Sequence, residues 1–355
     1  MDVRFEDAYI TFDTETTGKD PNTDRIVQLA FLKQDNTGEI VTKTFYFNPC
    51  MKRELQLDAY KIHKISPDFL LGKKPFSKHA EEILSFLDVK FLVGHNVLFD
   101  WNFLYNEFKR LGKPSHDGQG WLERLISKNF LLIDTYKMSL AAYPSLYSCR
   151  LQNVAKHLNI KIETESRKKY GISSPSKKRS IEIKTKKDDT SFHDAMFDTL
   201  VTNEVFTTSV SKLVPRTPNK LVPRTQKTEN ISIHDIPRQY TIAISDVIML
   251  DKYLQGDANT EEITRLKDMA LHTMSTLPST RRKLVKDLSV TALQNDVNFF
   301  TKSDDINDQR NKALRELVLK ELLTEKLETK NEKRKNEAHE TVDKYYPQKK
   351  ARPMV

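Results

Sequence analysis

Apolar positions in the first 135 residues come in short runs, not long stripes. Segments 8–14, 26–32 ("IVQLAFL"), 42–48 ("TKTFYFN"), 91–94 ("FLVG") and 130–134 ("FLLID") are rich in β-branched and aromatic residues and too short for helices, so each reads as a strand. A helical period starts near Ser77 and continues through "KHAEEILSFL". It returns in "VLFDWNFLYNEFKRLG", which stops at Gly112 with Lys109 and Arg110 in the last turn, then in "RLQNVAKHL" and "DAMFDTLVTNEVFTTSV". Strands first, then strands alternating with helices, predict an α/β fold with a mixed five-stranded sheet flanked by helices.

The pattern changes after Ser211. "LVPRT" occurs at 213–217 and again at 221–225, among prolines without apolar periodicity, which reads as a linker. Helical patterns resume from Ile231 to Lys330, including "TEEITRLKDMALHTMS" and "NKALRELVLKELLTEKLE". In the latter, Leu314, Val318 and Leu322, with Leu317 beside them, line one stripe, better suited to the core of a small helical domain than to a coiled coil. The expected organisation is a main domain over 1–210 containing an insertion at 161–190, a linker over 211–230, a mainly helical region of unassigned role over 231–330, and a disordered basic tail over 331–355.

Charge sharpens this division. The 355 residues carry a formal net charge of +9, yet residues 1–160 are nearly balanced, whereas 161–190 hold ten Lys and Arg against five Asp and Glu. Such a tract either neutralises nucleic-acid phosphates or is merely solvated. Cys50 and Cys149 are the only cysteines and have no CxxC spacing, which argues against a disulfide framework or structural zinc. The acidic N-terminus and the lack of any run near ~18 apolar residues predict a soluble, intracellular protein with no membrane partner. Basic clusters at 177–180, 333–335 and 348–352 resemble nuclear-import signals, so the nucleus joins the cytoplasm as an expected location.

The first strand ends in two acids. In "YITFDTETTG" strand alternation puts Tyr9, Thr11, Asp13 and Glu15 on one face, so the carboxylates of Asp13 and Glu15 point the same way and repel. A hard divalent cation such as Mg²⁺ resolves that conflict; a simple turn with Asp13 or Thr14 as a cap is the competing reading. "VGHNVLFDWNFL" then places Asp100 early in a helix behind a buried strand, where a carboxylate needs a partner; the competing reading is helix-dipole favour near the N-terminus, with Asn96 as the N-cap. "FHDAMFD" supplies His193, Asp194 and Asp198. Asp194 and Asp198 share a helix face and compete for one role, the former also suiting an N-cap.

The ordered set D-x-E, H-N-x-x-F-D and H-x-x-x-x-D resembles that of the DEDDh 3'-to-5' exonuclease family, most nearly its proofreading, epsilon-type branch in bacterial replicative polymerases. The similarity covers roughly 7–210 and includes "FDTETTGKDPNTDRIVQLA", "YKIHKISPDFLLGKKPF", "LVGHNVLFDWNFL", "LIDTYKMSLAAYPS" and "HDAMFD". It implies an RNase H-like fold in which Asp13, Glu15, Asp100 and Asp198 hold two Mg²⁺ ions, with Mn²⁺ as a substitute, and His193 acts as general base. It also places Thr16, Thr17 and His63 against the terminal nucleotide. Lys64 follows His63 where the family often has glycine, and the tract before His193 is longer and more basic than usual.

The resulting expectation is a metal-dependent exonuclease acting on single-stranded or frayed DNA ends in proofreading or repair. An RNA-trimming enzyme of the same family is the alternative. A reading of another class makes the chain an interaction subunit whose C-terminal helices, at Leu314 to Leu323, dock on a DNA polymerase or replication factor. Phe99, Trp101 and Phe103, at helical spacing, are expected in the core and not in base stacking.

Overall fold

A computed structural model describes residues 2–50, 57–112, 118–160, 193–214, 228–275, 277 and 283–324. The basic insertion at 161–190, the LVPRT repeat beyond Val214, the tail at 331–355 and all three basic clusters lie outside the described residues. The chain divides into two compact units at Asp251.

In the first unit β1 (Asp2–Phe5) leads into β2 (Tyr9–Thr16), β3 (Ile26–Gln34) and β4 (Ile40–Tyr46). Helices α1 (Leu57–His63), α2 (Pro67–Leu71) and α3 (Ala80–Phe86) precede β5 (Phe91–Gly94), and α4 (Leu98–Leu111) and α5 (Trp121–Ser127) precede β6 (Leu131–Asp134). Then come α6 (Thr135–Ala142), α7 (Leu151–His157), α8 (Ala195–Leu213), β7 (Thr228–Ile231), β8 (Thr241–Ala243) and α9 (Ile244–Gln255), which runs across the division.

The main sheet has the order β4-β3-β2-β5-β6-β8. Its first three strands are antiparallel, β2, β5 and β6 are parallel, and β8 returns antiparallel to β6; β1 pairs separately with β7. The sheet thus has six strands, not the expected five. The sixth, "TIA", is too short to show a period of two, and it is defined by its hydrogen bonds to β6. Since β8 belongs to this sheet, the first unit runs well beyond residue 210.

Alternation along β2 divides the core. Ile10 and Phe12 face the aromatic-rich layer of α3 and α4, where Phe31, Phe45, Phe76, Trp101, Phe103 and Phe108 are buried, as expected for Trp101 and Phe103; Phe99 packs against the same cluster. Tyr9 and Thr11 face α8 and meet Asn203 Oδ1 at 2.9 and 3.2 Å. Burying the aromatic side chains of this layer, each worth about 1.5–3 kcal/mol, holds the sheet between two helical layers.

The second unit contains α10 (Thr260–Leu271), opened by an Asn259–Glu262 capping box, α11 (Val290–Phe300) and α12 (306–324). Arg315, fully buried, donates from Nε to Asp296 Oδ2 at 3.1 Å. Leu314, Leu317 and Val318 are also buried. The first part of the expected docking face is therefore core of the helical unit, whereas Leu322 is half-buried and Leu323 exposed.

Candidate active site

Four acids from both helical layers meet at the carboxyl end of β2. Asp13 and Glu15 come from the strand face toward α8, whose first turn carries Asp198. Asp100 comes from the first turn of α4 on the other side and reaches around the strand end, where its Oδ1 accepts from Thr14 N at 2.9 Å and Thr14 Oγ1 at 2.7 Å. Thr14 points away from its acidic neighbours and so can hold the one acid that arrives from the opposite layer.

The β5–α4 turn sets the approach of Asp100. Asn96 adopts a left-handed backbone (φ 66°), and its N–H donates to Asp134 Oδ1 at 3.0 Å. The cap position of α4 is Val97, without a side-chain bond, so the N-cap role that the competing reading gave Asn96 is not filled by its side chain.

Asp194 and Asp198 resolve into different tasks. Asp194 caps α8, its Oδ1 accepting from Met196 and Phe197 N at 3.1 Å each. Asp198 Oδ2 accepts from His193 N at 3.0 Å, while its Oδ1 is buried without a hydrogen-bond partner. One ligand atom from each of Glu15, His193 and Asp198 lies within 4.8 Å of the others. His193 reaches this place on a left-handed backbone (φ 74°).

The electrostatics record the crowding. Burial, then Asp198, Asp100 and Asp194, push Glu15 up to about 9. Burial raises Asp13 well above the usual carboxylate range, with Asp100, Asp198, Glu15 and Asp194 adding to it. Burial pushes Asp100 up to about 7 against the lowering bonds from Thr14, and pushes Asp198 up to about 7 against the bond from His193 N. Such a cluster cannot carry its full negative charge without a cation. An orphaned carboxylate oxygen and an all-oxygen acidic donor set fit a hard divalent ion. His193 is lowered by burial, which keeps its ring neutral at physiological pH.

The three expected nucleotide contacts are close by. Buried His63 accepts from Ile65 N at Nδ1 (3.0 Å), and its Nε2 is buried without a hydrogen-bond partner. Burial brings its pKa down to about 4, with His193 and Lys64 lowering it further. Thr16 Oγ1 donates to Gly18 O at 2.6 Å and Thr17 Oγ1 to Asp24 Oδ1 at 3.0 Å, so both hydroxyls serve the loop itself. Gly18 is required there, since a Cβ would lie 2.4 Å from Asp24 Oδ2.

Sequence reasoning missed the residues that hold these groups in place. Arg25 makes two 2.7 Å bonds to buried Glu107, which also accepts from Ile26 N at 3.1 Å, pinning the 16–25 loop to α4. Gln28 donates to Asp194 Oδ2 at 3.3 Å and accepts from Ala195 N at 3.2 Å, fixing the start of α8. The only sequence signal was Gln28, a polar residue inside an apolar run; Arg25 and Glu107 lie among other polar residues and carry none.

Residues 10–165 match the RNase_T family model, described as Exonuclease. DNA polymerase III subunit epsilon of Treponema pallidum is 31% identical over 164 residues, 45% of this chain and 69% of the relative. The Rickettsia felis protein of the same name is 35% identical over 139 residues, 38% of this chain and 56% of that protein. E. coli exonuclease I, solved with a dA16 oligonucleotide, superposes with a TM-score of 0.44 at 20% identity, covering 58% of this chain and 41% of the other. Among the described residues no helix is long and apolar enough to cross a membrane.

Proposed function

Because this chain belongs to the RNase T-type exonuclease family, a family of 3'-to-5' exonuclease hydrolases that are typically metal-dependent, we propose that it removes nucleotides from the 3' end of single-stranded or frayed DNA. The observation that carries this reading is the convergence of Asp13, Glu15, Asp100 and Asp198, from three separate elements, beside His193.

Asp13, Glu15, Asp100 and Asp198 would hold two Mg²⁺ ions, or Mn²⁺ in their place, which when bound would supply polarisation of the phosphodiester and stabilisation of the leaving 3' oxygen. Neutral His193 takes the proton of the attacking water at a ring nitrogen, a role worth about 10²- to 10⁴-fold. The water oxygen bonds to phosphorus, the bond from phosphorus to the 3' oxygen breaks, and the shortened strand leaves with a 3'-hydroxyl. His63 and the backbone of Thr16 and Thr17 line the place of the terminal nucleotide. Work in proofreading or repair, with a DNA polymerase as partner, is supported by the names of the bacterial relatives.

The test is digestion of end-labelled single-stranded DNA, matched duplex, mismatched duplex and RNA, with Mg²⁺ and with chelator. Metal-dependent shortening from the 3' end, fastest on single strands and mismatched ends, is expected. Preference for RNA would shift the substrate to RNA trimming, and inactivity on all four would remove the enzymatic reading.

A further inference from the structure

The row that contains Glu15 continues across the sheet to a feature the hydrolytic site does not use. Glu15 lies opposite Gln28 on β3, and Gln28 lies opposite Tyr46 on β4, so all three share one face. At about 4.8 Å per strand, Tyr46 sits roughly 10 Å from Glu15. Gln28 Nε2 bridges the row, donating to Tyr46 Oη at 3.1 Å as well as to Asp194.

Beyond Tyr46 stands Phe69 of α2, ring centroids 5.1 Å apart and planes at 90°. Phe69 is 39% exposed, so part of its ring is open to solvent. Lys73 holds its ammonium 4.0 Å from the Phe69 centroid and 5.8 Å from that of Tyr46, and among the described residues it forms no ion pair. Exposed aromatic surface with a free cation beside it is the chemistry that single strands recognise, base on ring and phosphate on ammonium. A docked protein segment would use the apolar surface but leave the cation uncompensated.

We propose that Tyr46, Phe69 and Lys73 form a platform that holds the single-stranded DNA a few nucleotides upstream of the scissile 3' end. The proposal rests on the exonuclease reading and extends it. The row from Glu15 through buried Gln28 to Tyr46 ties the platform to the acids at a fixed spacing. Phe69 and Lys73 are binding residues remote from the reacting atoms, and Tyr46 orients them.

The test uses the full chain with Mg²⁺ and compares Phe69→Ala and Lys73→Gln with the parent on a single-stranded DNA 12-mer and on a dinucleotide. The dinucleotide cannot reach the platform. Phe69→Ala is expected to raise KM about tenfold on the 12-mer, with kcat retained, so the preference for 12-mer over dinucleotide falls about tenfold. Lys73→Gln should lower the slope of log binding against log salt by about 0.7, the loss of one phosphate contact on a single strand. Equal loss on both substrates or an unchanged KM on the 12-mer would overturn the platform. Inactivity of the parent on both substrates would instead overturn the exonuclease reading.

Discussion

A cation entering the carboxylate cluster must expel protons, and the surroundings of each acid say how many. In chelator at pH 7, Glu15, pushed up to about 9, is almost fully protonated, while Asp100 and Asp198, both at about 7, are each half protonated. Half a proton on each aspartate and nearly a whole one on Glu15 make roughly two, and Asp13, raised well above the ordinary range, can only add to this. Mg²⁺ binding should therefore release at least about two protons at pH 7. As the two aspartates titrate, the release should rise by about one proton at pH 6 and fall by about one at pH 8, to at least about three and about one respectively, with Asp13 adding to each. Titration calorimetry in buffers of different ionisation enthalpy reads the number directly, as the slope of apparent against buffer enthalpy. A slope near zero at pH 7 would mean that the acids are not crowded, and the metal-site argument would fail with it. The same crowding sets a stability trend. With folded pKa values above the unfolded ones, the stabilisation is complete below about pH 4 and is lost as pH rises through 7 toward 9. The loss is about 1.4 kcal/mol per pH unit for each excess proton. Thermal melts in chelator should fall from pH 5 to 8, and Mg²⁺ should restore them.

Other consequences are more local. His193→Ala should keep Mg²⁺ binding by calorimetry yet lose about 10²- to 10⁴-fold in kcat; near-normal turnover would remove this residue from the mechanism. In the parent enzyme, His193 must be neutral to accept a proton and burial lowers its pKa, so the acid limb of kcat should fall below pH 6.5. Thr14→Val should cut kcat about tenfold by releasing the Asp100 carboxylate from its 2.7 Å bond, about 1.4 kcal/mol. Thr14→Ser should restore it. Glu107→Ala leaves Arg25 without its carboxylate partner and should cost about 3 kcal/mol in urea unfolding. A change under about 1 kcal/mol would show that the pair does not anchor the 16–25 loop.

Much of this protein is readable from one dimension. Five strands, the stop of α4 at Gly112, and the helix from 195 follow from the periods of their apolar residues, because burying one face of a strand or helix constrains the sequence at every second or every third to fourth position. The common direction of Asp13 and Glu15 follows from strand alternation alone, and the capping role of Asp194 from its place before a helical run. Other features have no local signature. β8 is three residues long and exists as a strand only because β6 offers it an edge. Asn96 looks like a cap but takes a left-handed turn, because Asp134, 38 positions later, claims its N–H. Gln28 and Glu107 look like lone polar residues until Asp194 and Arg25 arrive from elsewhere in the chain. The stretch 314–323 offers both a core stripe and a docking face, and only packing separates buried Leu314, Leu317 and Val318 from exposed Leu323. Repetition along the chain determines which residues face inward, since burial acts on every turn or pleat alike. Which acids share a cation is decided by the closing of distant segments on one strand end, and no local period encodes that meeting.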